Sequence, residues 1–426
     1  MRRILAYYVC LLSAFWGFGL WLVPPAVNAK AWVHEIFYLT GTLTWGLMVM
    51  ALVIAARPAW IERVTDTALD KLYVWHRRLG WSAMVLALIH THAKSLCAPV
   101  MAWLALPRPP KNSAGVPADW LEHFWRLLRP VAKTSSEWLV WIMLAICLIA
   151  LVRRIGYGRW LKLHKLLAVG FVILSLHAVR LMDPTDFMTP FGWCNLALTA
   201  LGLWASLVLL VRGPGSAQTQ NAVVRAVRSD GRTTRLTLQT DRAADIRPGQ
   251  FVFLKPADSR RHPFSVIRAQ ARELDLAVRA CGEFTSTVVP KLESGTRVLV
   301  EGPWGRFTEP QNERQTWIAA GIGIAPFMAW LRTSRSNPQA RVRLFWLIRD
   351  RQQELLFDEV TRLAQQAGVE LVIHESRRVG RVDPDVFFAH KPQVVALCGS
   401  PSLAASIAKH PLGRNCPIEQ EIFVWR

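Results

Sequence analysis

The sequence predicts a multi-domain chain: a six-helix transmembrane bundle, then an antiparallel β-barrel, then a parallel α/β domain. Three observations carry that expectation. Every near-uncharged apolar run of roughly 20 residues, the length that crosses a bilayer, lies before residue 211. Residues 221–303 alternate apolar and polar positions in short stretches broken by turn signals. From about residue 315, apolar strand-like runs alternate with helical ones, as a parallel sheet with crossover helices requires.

Composition narrows the function classes. Of 426 residues 52% are hydrophobic and 19% charged, which excludes a disordered or fibrous chain. The net charge of +21 divides evenly about Val211, so neither half is a basic arm. The basic residues are scattered and join no nucleic-acid motif, so no nucleic-acid partner is expected. Seven cysteines form no C-x-x-C pair, against an iron–sulfur cluster, a zinc ribbon or covalently attached haem. Cys97 and Cys194 both fall near expected outer helix ends, which leaves a disulfide between them open.

Six spans are expected, at 4–23, 34–56, 72–96, 137–152, 160–180 and 191–211. Arg2, Arg3, Arg57, Arg63, Lys71, Arg153, Arg154, Arg159, Lys162 and Arg212 flank them on one side and place both termini in the cytoplasm. The long loop 97–136 carries Arg108, Lys111, Arg126, Arg129 and Lys133 outside, which long loops tolerate. The first segment also has signal-peptide features, with Val27-Asn28-Ala29 as a cleavage-like site. Its apolar stretch exceeds the usual h-region of roughly 7–15 residues, which favours a retained span. A multi-pass protein of the cell membrane in contact with lipid follows, in the inner membrane if the source is bacterial.

Ionisable residues inside lipid are costly and mark function. The third span carries His76, His90 and His92, the fifth His164 and His177. His76 and His90 lie about 21 Å apart along a helix, His164 and His177 about 20 Å. Both spans run in the same direction, so His76 levels with His164 near the inner face and His90 with His177 near the outer one. Two facing neutral imidazoles saturate the iron of a b-type haem, so two haem b groups are expected, each iron bound by one pair. The angular phase fits only in part. His90 returns to about 40° from His76, whereas His177 falls about 140° from His164, which calls for helix distortion or mutually rotated haem planes. His92 points nearly opposite His90 and is not counted as a ligand.

In the soluble half, strands are expected at 222–227, 235–240, 250–255, 264–268 and 274–280, then at 317–320, 342–348, 371–374 and 394–397, with helices at 324–332 and 355–366. Ala320-Gly321-Ile322-Gly323-Ile324-Ala325-Pro326 follows a strand and opens a helix, where glycines admit a pyrophosphate and free N–H groups face it. Arg261-His262-Pro263-Phe264-Ser265 and Gly282-Glu283-Phe284-Thr285 form a second constellation, the latter opening an expected helix at 285–292.

The His pairs with His76-Arg77-Arg78-Leu79-Gly80 resemble the ferric reductase transmembrane domain shared by ferric-chelate reductases and NADPH oxidases. His262 to Ser265, Gly282 to Thr285, Gly321 to Pro326, Cys398-Gly399-Ser400-Pro401 and the closing Glu421 to Arg426 resemble the FAD and NAD(P)H motifs of ferredoxin reductases. The resemblance implies three domains: a bis-haem membrane domain at 1–212, a β-barrel FAD domain at 213–310 and an NAD(P)H-binding α/β domain at 311–426. It implies that Phe264 lies against the isoalloxazine, that Ser265 bonds near the reactive flavin nitrogen, and that His262 and Thr285, with Pro263 and Gly282 in their motifs, hold FAD. Gly321, Gly323, Pro326 and Gly399 would carry the dinucleotide. Cys398 and Glu421 would flank the nicotinamide, and Trp425, or else Phe423, would cover the flavin. There are departures: Ala320 and Ala325 replace the usual Gly and Thr of the nucleotide turn. Lys94 stands where animal oxidases carry a further His, and the outer half of the second span has Lys30, His34 and Glu35 but no evident Arg.

The expected function is a transmembrane oxidoreductase passing electrons from cytosolic NAD(P)H through FAD and two b-type haems to an acceptor outside the membrane, most simply a ferric chelate. The alternatives are an oxidase making superoxide and an electron donor to an external redox protein docked on 97–136. Arg77, Arg78, Arg154 and Lys165 lie near the inner pair, where haem propionates or flavin would sit. Arg349, assisted by Arg377 and Arg378, would take a 2′-phosphate and favour NADPH over NADH.

Overall fold

A computed structural model describes residues 2–25, 27–104, 120–151, 157–182, 187–257, 259–333, 337 and 339–421. The chain divides into two compact units, 1–66 with 72–216, and 67–71 with 217–426.

The first unit is helical: α1 (Arg2–Leu22), α2 (Ala29–Ala56), the short α3 (Ile61–Thr65), α4 (Leu69–Trp103), α5 (Trp120–Ile149), α6 (Tyr157–Arg180) and α7 (Pro190–Leu207). Local chemistry sets several ends. The Asn28 side chain accepts from Ala31 N, and Arg57 closes α2 in the left-handed conformation. Thr189 accepts from Gly192 N, with Pro190 in the first turn of α7. Polar groups within the bundle find partners: Trp45 Nε1 donates to Thr199 Oγ1 (3.0 Å) and Thr42 Oγ1 to Asn195 Oδ1 (3.0 Å). Trp45 stacks on Phe171 at 4.1 Å, and a Cβ on Gly202 would stand 2.2 Å from the Phe171 ring, so that glycine admits the aromatic pair.

Five helices among the described residues are long and apolar enough to cross a membrane, at Arg3–Leu22, Lys30–Ala56, Pro130–Ile149, Gly158–Arg180 and Pro190–Arg212. The expected third span, 72–96, is helical as part of α4 but is not one of the five. It carries Arg77, Arg78, Lys94 and three histidines, which lower its hydropathy. The expected loop 97–136 is corrected: its first residues continue α4 through Pro99, and α5 begins at Trp120 and runs through Pro130. Prolines and charges there read as loop, but the sequence of α5 is amphipathic, which carries that helix beyond the apolar core, and α4 continues through Pro99.

The second unit contains a closed barrel and a parallel sheet. The barrel strands are β1 (Thr219–Ser229), β2 (Thr233–Gln239), β3 (Phe251–Pro256), β4 (His262–Gln270), β5 (Glu273–Arg279) and β6 (Arg297–Trp304), in the order β1-β2-β5-β4-β3-β6. All its pairs are antiparallel. Inward residues such as Val224, Leu236, Leu254, Leu276 and Val300 fill it. The parallel sheet runs β11-β10-β7-β8-β9, with β7 (Arg314–Ala320), β8 (Arg341–Ile348), β9 (Glu370–Glu375), β10 (Val394–Cys398) and β11 (Ile418–Glu421). The helices α8 (Ala325–Leu331), α9 (Phe357–Gln366), the short α10 (Ser376–Val379) and α11 (Pro401–Lys409) complete it. Trp317, Phe327, Trp330 and Trp346 are the large aromatics of its buried core.

Two strands were not expected. β6 ends in Gly302-Pro303, which reads as a turn, and β11 is the polar run Ile418-Glu419-Gln420-Glu421. Both are strands because a partner has an open edge there, the tertiary context outweighing propensity. The expected helix at 285–292 is corrected to a π-helical turn, Phe284–Val288, followed by a 3₁₀ turn, Val289–Lys291, with Pro290 breaking the regular helix.

Candidate functional sites in the two units

In the first unit, α4 and α6 bring the four histidines together as two pairs. The ring centroids of His76 and His164 lie 6.0 Å apart, those of His90 and His177 6.3 Å, with planes at 74° and 86°. A metal bound by two imidazole nitrogens at about 2.0 Å each, with each ring centre roughly 1.1 Å behind its nitrogen, requires about 6.2 Å. A direct hydrogen bond between the rings would bring the centroids to about 5 Å. The residues fit an iron shared by each pair, at a spacing that edge-to-face rings also adopt. The α6 helix runs unbroken from Tyr157 to Arg180, so both of its imidazoles reach their α4 partners without distortion of the helix.

Neighbouring groups set the tautomers. His76 Nδ1 donates to the Ala51 carbonyl at 3.0 Å and His177 Nδ1 to that of Ala132 at 3.3 Å. His90 Nδ1 meets Thr40 Oγ1 at 3.2 Å. A proton held at Nδ1 leaves Nε2 as a bare lone pair, the form a metal needs. The His164 ring stacks on Trp160 at 4.8 Å. His92 faces away, exposed, with Nδ1 bonded to the Leu88 carbonyl at 3.0 Å. Among the described residues no cluster of three or more His, Cys, Asp or Glu offers a metal site, so the pairs stand alone. Arg77, Arg78 and Lys165 are exposed, with Arg78 over the Trp75 ring at 5.0 Å. Arg154 lies outside the described residues.

In the second unit, the carboxyl ends of β7, β10 and β11 form one edge, and the strand order reverses between β7 and β10. Such a switch point is where open α/β sheets take ligands. Gly321 sits there at φ 55°, with open space where a Cβ would be, and its carbonyl accepts from Trp346 Nε1 at 2.9 Å. A Cβ on Gly323 would stand 2.2 Å from the Cys398 carbonyl oxygen, and one on Gly399 would stand 3.0 Å from Ala320 Cβ. These two glycines let the turn and β10 close on each other. Pro326 is buried at the start of α8.

Register places Cys398 beside Glu421, and the barrel adds Ser265 from β4. Ser265 Oγ donates to Glu421 Oε2 at 3.2 Å, and the Cys398 thiol approaches the same oxygen at 3.7 Å. Burial pushes the Glu421 carboxyl up to about 8, so it is protonated at neutral pH. Glu421 Oε1 is buried and has no hydrogen-bond partner among the described residues. Burial, together with Glu421, also holds the Cys398 thiol well above its ordinary range, so it stays neutral. Phe264 is half-buried one residue away.

His262 stacks on Phe284 at 3.8 Å with planes at 9°, and burial, with Arg260 second, lowers its pKa. Pro263 pairs with Phe253 on β3. Thr285 Oγ1 accepts from Cys281 N (2.9 Å) and Gly282 N (3.1 Å), which folds the turn on itself. Arg349 is exposed at the end of β8, and its carbonyl accepts from Arg377 N at 3.2 Å. Arg377 also bonds Asp350 at 3.2 Å, and Arg378 meets Glu375 at 3.5 Å. Trp425 and Phe423 lie outside the described residues. Cys97 and Cys194 are free thiols.

Sequence reasoning missed a clamp between barrel and sheet. Arg235 bonds Asp275 at 2.6 Å and Glu359 at 2.8 Å, Arg332 also bonds Glu359, and Arg268 returns to Asp275 at 2.8 Å. Burial alone would raise the Asp275 carboxyl, but bonds from Arg268 and Arg235 hold it below its ordinary range. The available signal was Asp275 itself, an acid amid the buried run Leu274 to Val278. Thr40 was missed because a lone hydroxyl in an apolar helix carries no pattern.

Residues 40–175 match the family model described as ferric reductase like transmembrane component. The chain is 26% identical over 196 residues to a probable dihydroorotate dehydrogenase B (NAD(+)), electron transfer subunit, of Methanopyrus kandleri, covering 45% of this chain and 73% of that protein. It is 26% identical over 141 residues to NADPH oxidase 1 of Rattus norvegicus, covering 29% of this chain and 25% of that one. It thus spans only a quarter of the length of that oxidase. Among solved structures, phthalate dioxygenase reductase aligns at TM-score 0.42 and 21% identity, over 48% of this chain and 68% of that one.

Proposed function

We propose, from the match of residues 40–175 to the ferric reductase like transmembrane component and the likeness to NADPH oxidase 1, that the chain joins such a transmembrane component to a reductase-type module and moves electrons from NAD(P)H across the membrane to an acceptor on the far side, a ferric chelate. The coarser statement, a transmembrane oxidoreductase of the electron-transfer class, is what those matches carry. The observation that supports the finer reading is the pair of imidazole spacings, 6.0 and 6.3 Å.

In this reading His76 with His164, and His90 with His177, hold two b-type haems, and the module on the NAD(P)H side holds FAD. Bound there, FAD would supply the exchange between two-electron hydride chemistry and one-electron chemistry, and haem iron would supply the one-electron steps. The rest is the work of this chain's side chains. Ala51, Thr40 and Ala132 hold three imidazoles in the metal-binding tautomer. Gly321 and the Gly323–Cys398 closure shape the edge for the nucleotide. Ser265 and Cys398 orient the Glu421 carboxyl, which stores a proton beside the place where the hydride leaves. Arg349 offers a cation for a 2′-phosphate, so NADPH is the expected donor.

The test is a redox-difference spectrum of the purified full chain with His90→Ala beside it. Two b-type signals are expected in the parent. The variant keeps NADPH-driven flavin reduction but loses one haem signal and at least 100-fold of ferric-chelate reduction. A parent without Soret absorption after reconstitution with haemin, or full turnover in the variant, would overturn the reading. The likeness to NADPH oxidase 1 raises molecular oxygen as a second acceptor, against which Lys94 and the lack of an evident Arg in the outer half of the second span count. Superoxide-dependent dye reduction with iron absent, at a rate matching the ferric activity, would establish it.

A further inference from the structure

We propose that Thr40 is a positioning residue for His90 that sets the reduction potential at the His90/His177 site; the inference rests on the bis-histidine reading above. Three of the four imidazoles have a defined Nδ1 partner, and they differ in kind. His76 and His177 donate to backbone carbonyls, those of Ala51 and Ala132, whereas His90 meets a side-chain hydroxyl, Thr40 Oγ1, at 3.2 Å. Thr40 Oγ1 spends its own proton on the Ile36 carbonyl at 2.7 Å. Its lone pairs are then free for His90, and in the tautomer protonated at Nδ1, the one a metal at Nε2 requires, donation runs from imidazole to hydroxyl.

Three residues of α2, Phe37, Thr40 and Gly41, share one helix face by their i, i+3, i+4 spacing, and all three address this ring. Phe37 stands edge-on to His90 at 5.3 Å with planes at 90°, and its carbonyl offers the Nδ1 proton a backbone alternative. A Cβ on Gly41 would lie 3.1 Å from His90 Cε1, so the imidazole rests against bare backbone there. The ring is thus held on its Nδ1–Cε1 side by a hydroxyl and a glycine, with the His177 ring centre 6.3 Å away.

An Nδ1–H that donates a hydrogen bond pushes electron density onto the ring, makes Nε2 a stronger donor and favours the oxidised metal. The hydroxyl therefore lowers the potential at the His90/His177 site relative to a site without it, which favours passing the electron onward to the acceptor. Both glycine and hydroxyl serve that one ring.

The experiment is a potentiometric titration of the full chain, followed by b-type absorption, with Thr40→Val, Thr40→Ala and Thr40→Ser. Each is also made in a His164→Leu background, where only the His90/His177 pair remains to bind haem. Thr40→Val is expected to raise one of two midpoints and leave the other in place, the same shift appearing in the His164→Leu background, with Thr40→Ser restoring the parent value. Thr40→Ala supplies the same shift should the valine variant fail to assemble. Two intact haem signals with no midpoint moved would overturn the inference alone, because the Phe37 carbonyl would then suffice. Both midpoints moving equally would overturn it too, as general repacking. A parent without two b-type signals would overturn the bis-histidine reading, and this inference with it.

Discussion

Glu421 and the four histidines are set apart by their burial and by which neighbours they keep. Glu421 is 3% exposed, and burial carries its carboxyl to about 8. A carboxyl raised on folding binds a proton in the native state that the unfolded chain releases. Its contribution to stability is therefore present below the ordinary carboxylate range and is lost as pH climbs through about 8. Glu421→Gln should flatten the fall in Tm between about pH 5 and pH 8, measured on the full chain in detergent, and slow flavin reduction by NADPH at least tenfold. An unchanged pH slope would mean that the carboxyl ionises freely. The histidines were legible in the sequence because an imidazole in lipid is conspicuous by itself. Thr40 was not, since its meaning lies in the ring 3.2 Å away from its hydroxyl.

Individual elements are as long and as closely packed as their partners allow. The Gly321 to Ile324 turn reaches β10 because Gly323 lacks a Cβ, and Gly323→Ala would place one 2.2 Å from a backbone oxygen that cannot swing away. That variant should raise KM for NADPH severalfold and cost about 1–3 kcal/mol by overpacking, read from denaturant unfolding of the full chain. Haem spectra should not change. In the bundle, Gly202→Ala meets Phe171 at the same distance and should cost about 1–3 kcal/mol by the same measure, with the Trp45–Phe171 stack forced apart. The apolar periodicity placed most helices and strands correctly, within a few residues. It failed at β6, β11 and the start of α5, where a tertiary partner or an amphipathic face extends an element that local composition ends.

Across the whole molecule, the two units differ in fold and in apolar content, and within the second unit ion pairs hold the barrel to the α/β domain. Arg235 is shared between Asp275 of the barrel and Glu359 of α9. Arg279 adds a bond to Glu354 at 2.6 Å. Asp275 keeps Arg268 and Glu359 keeps Arg332, so Arg235→Ala removes charge-assisted hydrogen bonds without stranding a charge and should destabilise by about 1.5–3 kcal/mol. It should also slow hydride transfer, because Ser265 and Glu421 come from opposite sides of that joint; stopped-flow flavin reduction is the check. By itself the sequence determined the division into apolar spans, alternating strands and a strand–helix repeat, together with the four histidines and the glycine turn. Those are matters of local period and residue chemistry, which a chain carries without its fold. Only the tertiary structure decided that one regular helix presents both His164 and His177 to α4, that β11 lies beside β10, and that Ser265, Cys398 and Glu421 share one oxygen. Those pairings join residues far apart in the chain, and packing between distant surfaces, which has no local signature, selects them.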